Sequence, residues 1–149
     1  MTEQATLSGH PFLSGLGERH RTLLAAQTRP FQASAGEMLA REGEPAKKFY
    51  LIQAGHVALD LHAPGRGVVA IQTVGPGEIV GWSWLVPPHR WQFDCRAVDT
   101  VQGLVIDAAW LRQQCEQDHE LGYLLLKELL TVIGNRLAAT RVQLLDIYK

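Results

Sequence analysis

Two cysteines in 149 residues, Cys95 and Cys115, stand too far apart for a Cys-x-x-Cys motif. That fits reduced thiols in a cytoplasmic setting better than a disulfide framework. No apolar stretch approaches the length of about 18 residues that a membrane span needs. The opening residues MTEQATLSGH lack the charged-then-apolar layout of a signal peptide. There is no basic run and the formal charge is −1, so no nucleic-acid surface is expected. The six histidines show no His-x-x-x-His or His-x-x-Glu-His spacing, so no metal site is expected. His56 and His62 share an even spacing but have no third ligand. Phosphate-loop and nucleophile-elbow motifs are also absent. The expectation is a binding protein and not an enzyme.

What is there is a β-rich centre between helices. From Phe31 to about Ile106, short apolar runs alternate with Gly, Pro and charged turns, the pattern of an all-β sandwich or barrel. Strands are expected at 37–41, 48–54, 56–61, 68–74, 79–83, 93–98 and 101–106. Residues 17–27 read as a short helix with Leu23, Leu24 and Ala26 on its apolar side, and the polar first ten residues are expected to fray.

After Asp107 the pattern turns helical. Residues 108–116 predict one helix, and Asp118 is placed to cap a second over 119–148. Leu126, Leu130, Ile133, Leu137 and Leu144 follow spacings of 4, 3, 4 and 7, the period of a two-helix seam. Beside them, Leu125, Leu129 and Val132 form a second stripe suited to covering a β-barrel. The alternative is that both stripes pack within one subunit.

The order of these elements resembles the cyclic nucleotide-binding domain, in particular the sensor domain of bacterial catabolite-activator and fumarate-nitrate regulators. The residues that carry the resemblance are the turn Gly36–Ala46, the hairpin from Phe49 through Gly55 to Val57, and the run Gly75-Pro76-Gly77-Glu78-Ile79-Val80-Gly81. It covers roughly residues 10–145. The implied fold is an α+β, double-stranded, jelly-roll-like β-roll of about eight antiparallel strands, flanked by an N-terminal helix and a long C-terminal helix. The whole chain, 1–149, would be one domain, with its roll at about 30–107 and its C-terminal helices at about 108–148.

The resemblance also implies a ligand cassette at 81–91. There, family members hold a cyclic phosphate with backbone N–H groups and an arginine, and a ribose hydroxyl with a glutamate. Trp82 stands at the glutamate position and Trp91 at the arginine position, and an indole offers one donor and no acceptor. Arg90 lies one position early, where a slip in the turn or a bend at Pro87-Pro88 would aim it inward, with His89 in support.

Three readings of the cassette stay open. Trp82, Trp84 and Trp91 fill the pocket; or Gly81, Trp82, Ser83, His89, Arg90 and Trp91 line an aromatic site for another small anionic effector; or a rearranged cassette still takes a cyclic nucleotide. No cofactor is certain. Glu78 reads as structural and Cys95 as a small buried hydrophobe, and nothing marks Cys115 as reactive. The chain stops where the long helix ends, so it resembles the sensor half of a regulator without the helix-turn-helix. The expected function is a stand-alone sensor, homodimeric through the C-terminal helix and signalling through a partner protein. The alternatives are a dimeric scaffold with a filled pocket and a sensor fragment of a transcription regulator.

Overall fold

A computed structural model describes residues 10–147. Residues 1–9, expected to fray, and position 148 of the expected long helix lie outside them. A 3-10 turn at Pro11–Leu13 and helix α1 (Glu18–Ala25) lead into eight strands. These are β1 (Thr28–Ala33), β2 (Met38–Ala40), β3 (Lys48–Ala54), β4 (Val57–Ala63), β5 (Gly67–Val74), β6 (Ile79–Val80), β7 (Asp94–Ala97) and β8 (Val101–Asp107). Helices α2 (Ala108–Gln117) and α3 (His119–Ile147) follow. The strands form two four-stranded sheets, β1-β8-β3-β6 and β2-β7-β4-β5, with antiparallel pairing throughout. This is the expected β-roll between an N-terminal and a long C-terminal helix. No described helix is long and apolar enough to cross a membrane.

Three local expectations are corrected. β1 was not among the expected strands, because Pro30 interrupts its run. Proline cannot donate to a ladder and is tolerated at a sheet edge, and among the described residues β1 is an edge strand that pairs only with β8. The strand expected over 79–83 stops at Val80, since Gly81 turns the chain with φ at +103°. His10 does not fray. It is 4% exposed; its Nε2 lies 3.0 Å from the Ile52 carbonyl, and its Nδ1 accepts the Phe12 N–H.

β3 is buried along both faces at Phe49, Tyr50, Leu51 and Ile52, because the roll lies on one side and the helical lead-in on the other. Phe49 meets Phe12 edge-on with ring centroids 5.4 Å apart. Asp118 caps α3, accepting the Leu121 N–H at 3.2 Å. It also meets Arg19 and His20 of α1, each at 3.1 Å, which ties the two ends of the domain together. His20, Asp118 and Glu120 cluster closely enough to hold a metal ion, but Arg19 already supplies the positive charge to both carboxylates.

Along α3, Leu121, Leu125 and Leu129 are buried in the core and Val132 packs against it, while Leu126, Leu130, Leu137 and Leu144 face outward. Leu125 is 1% exposed and Leu130 61%. Leu125→Ala therefore removes core volume and is expected to cost about 2–5 kcal/mol in chemical denaturation.

His10 generates a pH prediction. Burial holds its imidazole below the usual 6.5, and its bonding pattern fits the neutral ring. Below about pH 6.5 the unfolded chain takes up a proton that the folded one refuses, so stability falls as pH drops through that value. Asp94, Asp99 and Asp118 are depressed from 3.8, and their contributions are lost only at more acid pH. Unfolding free energies measured at about pH 7.5 and about pH 5.5 should differ in the wild type and converge in His10→Asn.

Candidate functional site

The glycine-rich run is a closed turn stitched to β3. Glu78 Oε2 accepts the Gly75 N–H at 2.6 Å, and the Glu78 N–H donates to the Gly75 carbonyl at 3.1 Å. The Ile52 N–H donates to Glu78, and the Gly77 N–H donates to Ile52, each at 2.9 Å. Glu78 therefore has the structural role read from the sequence.

Beyond Gly81 the chain crosses to the turn at 43–46. Trp91 donates its N–H to the Glu44 carbonyl at 2.9 Å and accepts from the Gly43 N–H at 2.8 Å. His89, at φ +58° after a cis Pro87-Pro88 bond, accepts the Ala46 N–H at 2.7 Å and donates to Val86 at 3.0 Å. The amides of His89 and Trp91 are thus spent on the fold.

The side chains follow suit. Trp84 is 0% and Trp91 5% exposed. Trp84 lies 5.4 Å from Phe49, and Trp91 lies 6.5 Å from Tyr50, centroid to centroid. Trp82 is half-buried against the core and Ser83 is buried. Arg90 is exposed, and its Nη1 donates to the Gly43 carbonyl at 2.8 Å, so its guanidinium fastens the neighbouring turn. The loop thus gathers Gly81 and Trp91 into direct apposition and holds Arg90 and His89 against residues 43–46.

Cys95 and Cys115 are free and buried. Burial raises the first thiol to about 12 and the second to about 11, so both are poor nucleophiles. His56 and His62 are each engaged by a separate aspartate, Asp99 at 2.8 Å and Asp94 at 2.9 Å.

Beside Trp91 lies a hollow of about 240 Å³ walled by Leu39, Ala40, Glu44, Pro45, Lys47, Lys48 and Tyr50, and a larger open volume lies elsewhere. A cleft of about 540 Å³ runs between the roll and α3, and none of residues 81–91 lines it. Its walls are Pro11 and Phe12, Gln72–Val74 of β5, Gly77–Ile79, and Glu128, Val132, Asn135, Arg136 and Ala139 of α3. Arg136 bonds the Ile79 carbonyl through Nη2, and its own carbonyl accepts Gln72 Nε2 at 3.0 Å. Burial pulls its guanidinium below the usual value. Sequence reasoning missed Arg136, although the signal was present: it continues the inward stripe Leu125, Leu129, Val132 at the next spacing of 4.

Gly81→Ala gives a stringent test of the filled cassette. A Cβ there would lie 2.8 Å from Trp91 Cη2, on a backbone that side chains disfavour. The expected loss is roughly 2–5 kcal/mol in urea denaturation, partly relieved by a second change, Trp91→Leu.

The profile of the family described as Cyclic nucleotide-binding domain matches residues 30–118. The chain is 36% identical over 77 residues to Acetyltransferase Pat of Mycolicibacterium smegmatis, an alignment covering 52% of this chain and 23% of that protein. It is 25% identical over 124 residues to the CRP-like cAMP-activated global transcriptional regulator of Mycobacterium tuberculosis, covering 83% of this chain and 54% of the regulator. The chain thus spans about a quarter of one curated relative and about half of the other. Among solved structures, a Geobacter metallireducens protein assigned to the cyclic nucleotide-binding class superposes with a TM-score of 0.82 at 25% identity, over 92% of this chain and 99% of that one. A cyclic nucleotide-binding domain from Methylobacillus flagellatus gives 0.81 at 21% identity, over 97% and 83%, which speaks for the fold alone.

Proposed function

The chain belongs to the cyclic nucleotide-binding domain family, and from that premise we propose that it is a regulatory sensor with an altered effector site, dimeric through α3 and acting on a partner protein. The observation that carries the altered site is the burial of Trp84 and Trp91, together with the capture of Arg90 by Gly43. A cyclic phosphate needs a guanidinium and free N–H donors, and a ribose needs a carboxylate acceptor. The loop at 81–91 offers indoles instead.

The dimer reading rests on the outer face of α3. Leu126, Leu130, Leu137 and Leu144 are exposed along it, with Ile133 half-buried between them. A second copy of the same helix would cover these leucines in register. Because α3 also walls the cleft, an effector bound there acts on the partner-facing helix directly. It shifts the helix only by binding one pose better than another. A cytoplasmic setting accords with two buried, unbridged cysteines. The same aromatic fill favours a second reading, a scaffold that senses nothing.

Two measurements separate these readings. Light scattering should give a dimer mass for the wild type and a monomer mass for Leu130→Glu with Leu137→Glu; an unchanged mass contradicts the seam. In isothermal titration with cyclic AMP and cyclic GMP, binding abolished by Arg90→Ala would restore the family's ordinary cassette and contradict the altered site. A scaffold would return no heat with any effector.

A further inference from the structure

We propose that the hollow beside Trp91 is a docking point for a partner protein, which inserts one acidic side chain against Lys47 and Lys48; this rests on the partner-protein reading above and gives that partner a surface and a chemistry.

The hollow opens where the turn at 43–46 meets the start of β3. Its floor is made by Tyr50 and Trp91, both buried, with ring centroids 6.5 Å apart. Its rim is made by Glu44, Lys47 and Lys48, all exposed. The volume decides what enters. About 240 Å³ falls short of the roughly 300–1,000 Å³ of sites that enclose a whole small molecule. A single side chain projecting from a protein surface needs less room.

Charge selects which side chain. Neither Lys47 nor Lys48 forms an ion pair among the described residues. Glu44 offsets only one of these charges, and its Oε1 is tied to its own turn by the Arg41 N–H at 3.1 Å. Arg90 adds a third cation nearby, for it pairs with Pro45 and its Nη1 donates to the Gly43 carbonyl at 2.8 Å. Three cations against one carboxylate leave the rim positive, and an aspartate or glutamate of the partner complements it. Leu39 and the two rings cover the methylenes of a glutamate, while its carboxylate stays at the rim.

The turn is also fixed before a partner arrives. The Gly43 N–H donates to Trp91 and the Ala46 N–H to His89, so docking orders little chain and loses little affinity to that ordering. No residue of α3 lines the hollow, so docking and helical pairing use separate faces.

The test is an amide chemical-shift titration of the full-length protein with an alternating Gly-Glu octapeptide, its Gly-Gln counterpart and acetate. The Gly-Glu peptide should shift amides of 39–50 and 91, less as salt rises from about 0.05 to about 0.5 M. The Gly-Gln peptide should shift none of them. Lys47→Gln with Lys48→Gln should weaken binding about three- to thirtyfold. Arg29→Gln with Arg66→Gln removes the same charge from exposed positions elsewhere and should leave affinity within about twofold. Equal losses in the two double variants, or no shifts with the Gly-Glu peptide, overturn the docking point. Acetate that binds as tightly as the peptide makes the hollow a small-anion site and overturns it too. Light scattering keeps this failure apart from failure of the dimeric sensor. The lysine variant should keep the wild-type mass, and a changed mass would mean that the lysines act through assembly and not through docking.

Discussion

The bare Cα of Gly81 against the ring of Trp91 is the contact on which the shape of the loop at 81–91 depends. It ends β6 after two residues and lets an indole enter where a side chain on residue 81 would collide. The loop is then carried to the turn at 43–46, where backbone bonds from Gly43, Ala46, His89 and Trp91 fasten it. Trp84 follows into the core beside Phe49. What the family uses as a polar cradle is here an aromatic floor. An indole cannot accept the hydrogen bonds that a ribose donates, nor offer the forked donors that a phosphate takes. Polar groups face open volume in the cleft walled by β5, the glycine-rich turn and α3, and in the smaller hollow beside Trp91 that Glu44, Lys47 and Lys48 line.

The long helix joins that cleft to the outside. Its inner stripe, Leu121, Leu125, Leu129 and Val132, packs on the roll and the rest of the core and leads to Arg136, which grips the Ile79 carbonyl. Its outer leucines meet solvent. Both faces belong to one continuous element of 29 residues, so a displacement at the inner face is felt at the outer one. On the sensor reading proposed above, this is the route from effector to partner, even with the usual cassette filled.

Much of this was legible in the sequence, for reasons that can be stated residue by residue. β3 was read at its observed bounds because 48–54 is a short apolar run ended by Gly55. Both C-terminal helices were read because the pattern turns helical after Asp107, Asp118 is placed to cap the second and no proline interrupts it; the structure adds Asp107 as the cap of the first. The two leucine stripes of α3 separated as their spacing implied. β1 was hidden by Pro30, whose missing N–H matters little at an edge that spacing alone does not reveal. The fate of Arg90 was hidden because its partner, the Gly43 carbonyl, is 47 residues away. The cleft was hidden because it is assembled from four separate stretches of chain. Arg136 was in plain sight as a charge on an apolar stripe, but its meaning required knowing that the stripe reaches Ile79.

The central proposal is that the loop at 81–91, filled by Trp84 and Trp91, does not hold an effector and that the cleft against α3 does. The most direct measurement is an amide chemical-shift titration of the full-length protein with cyclic AMP. The account predicts perturbations concentrated in 72–79 and 128–139, with the amides of 81–91 unmoved. Shifts centred on 81–91, or none anywhere, would contradict it.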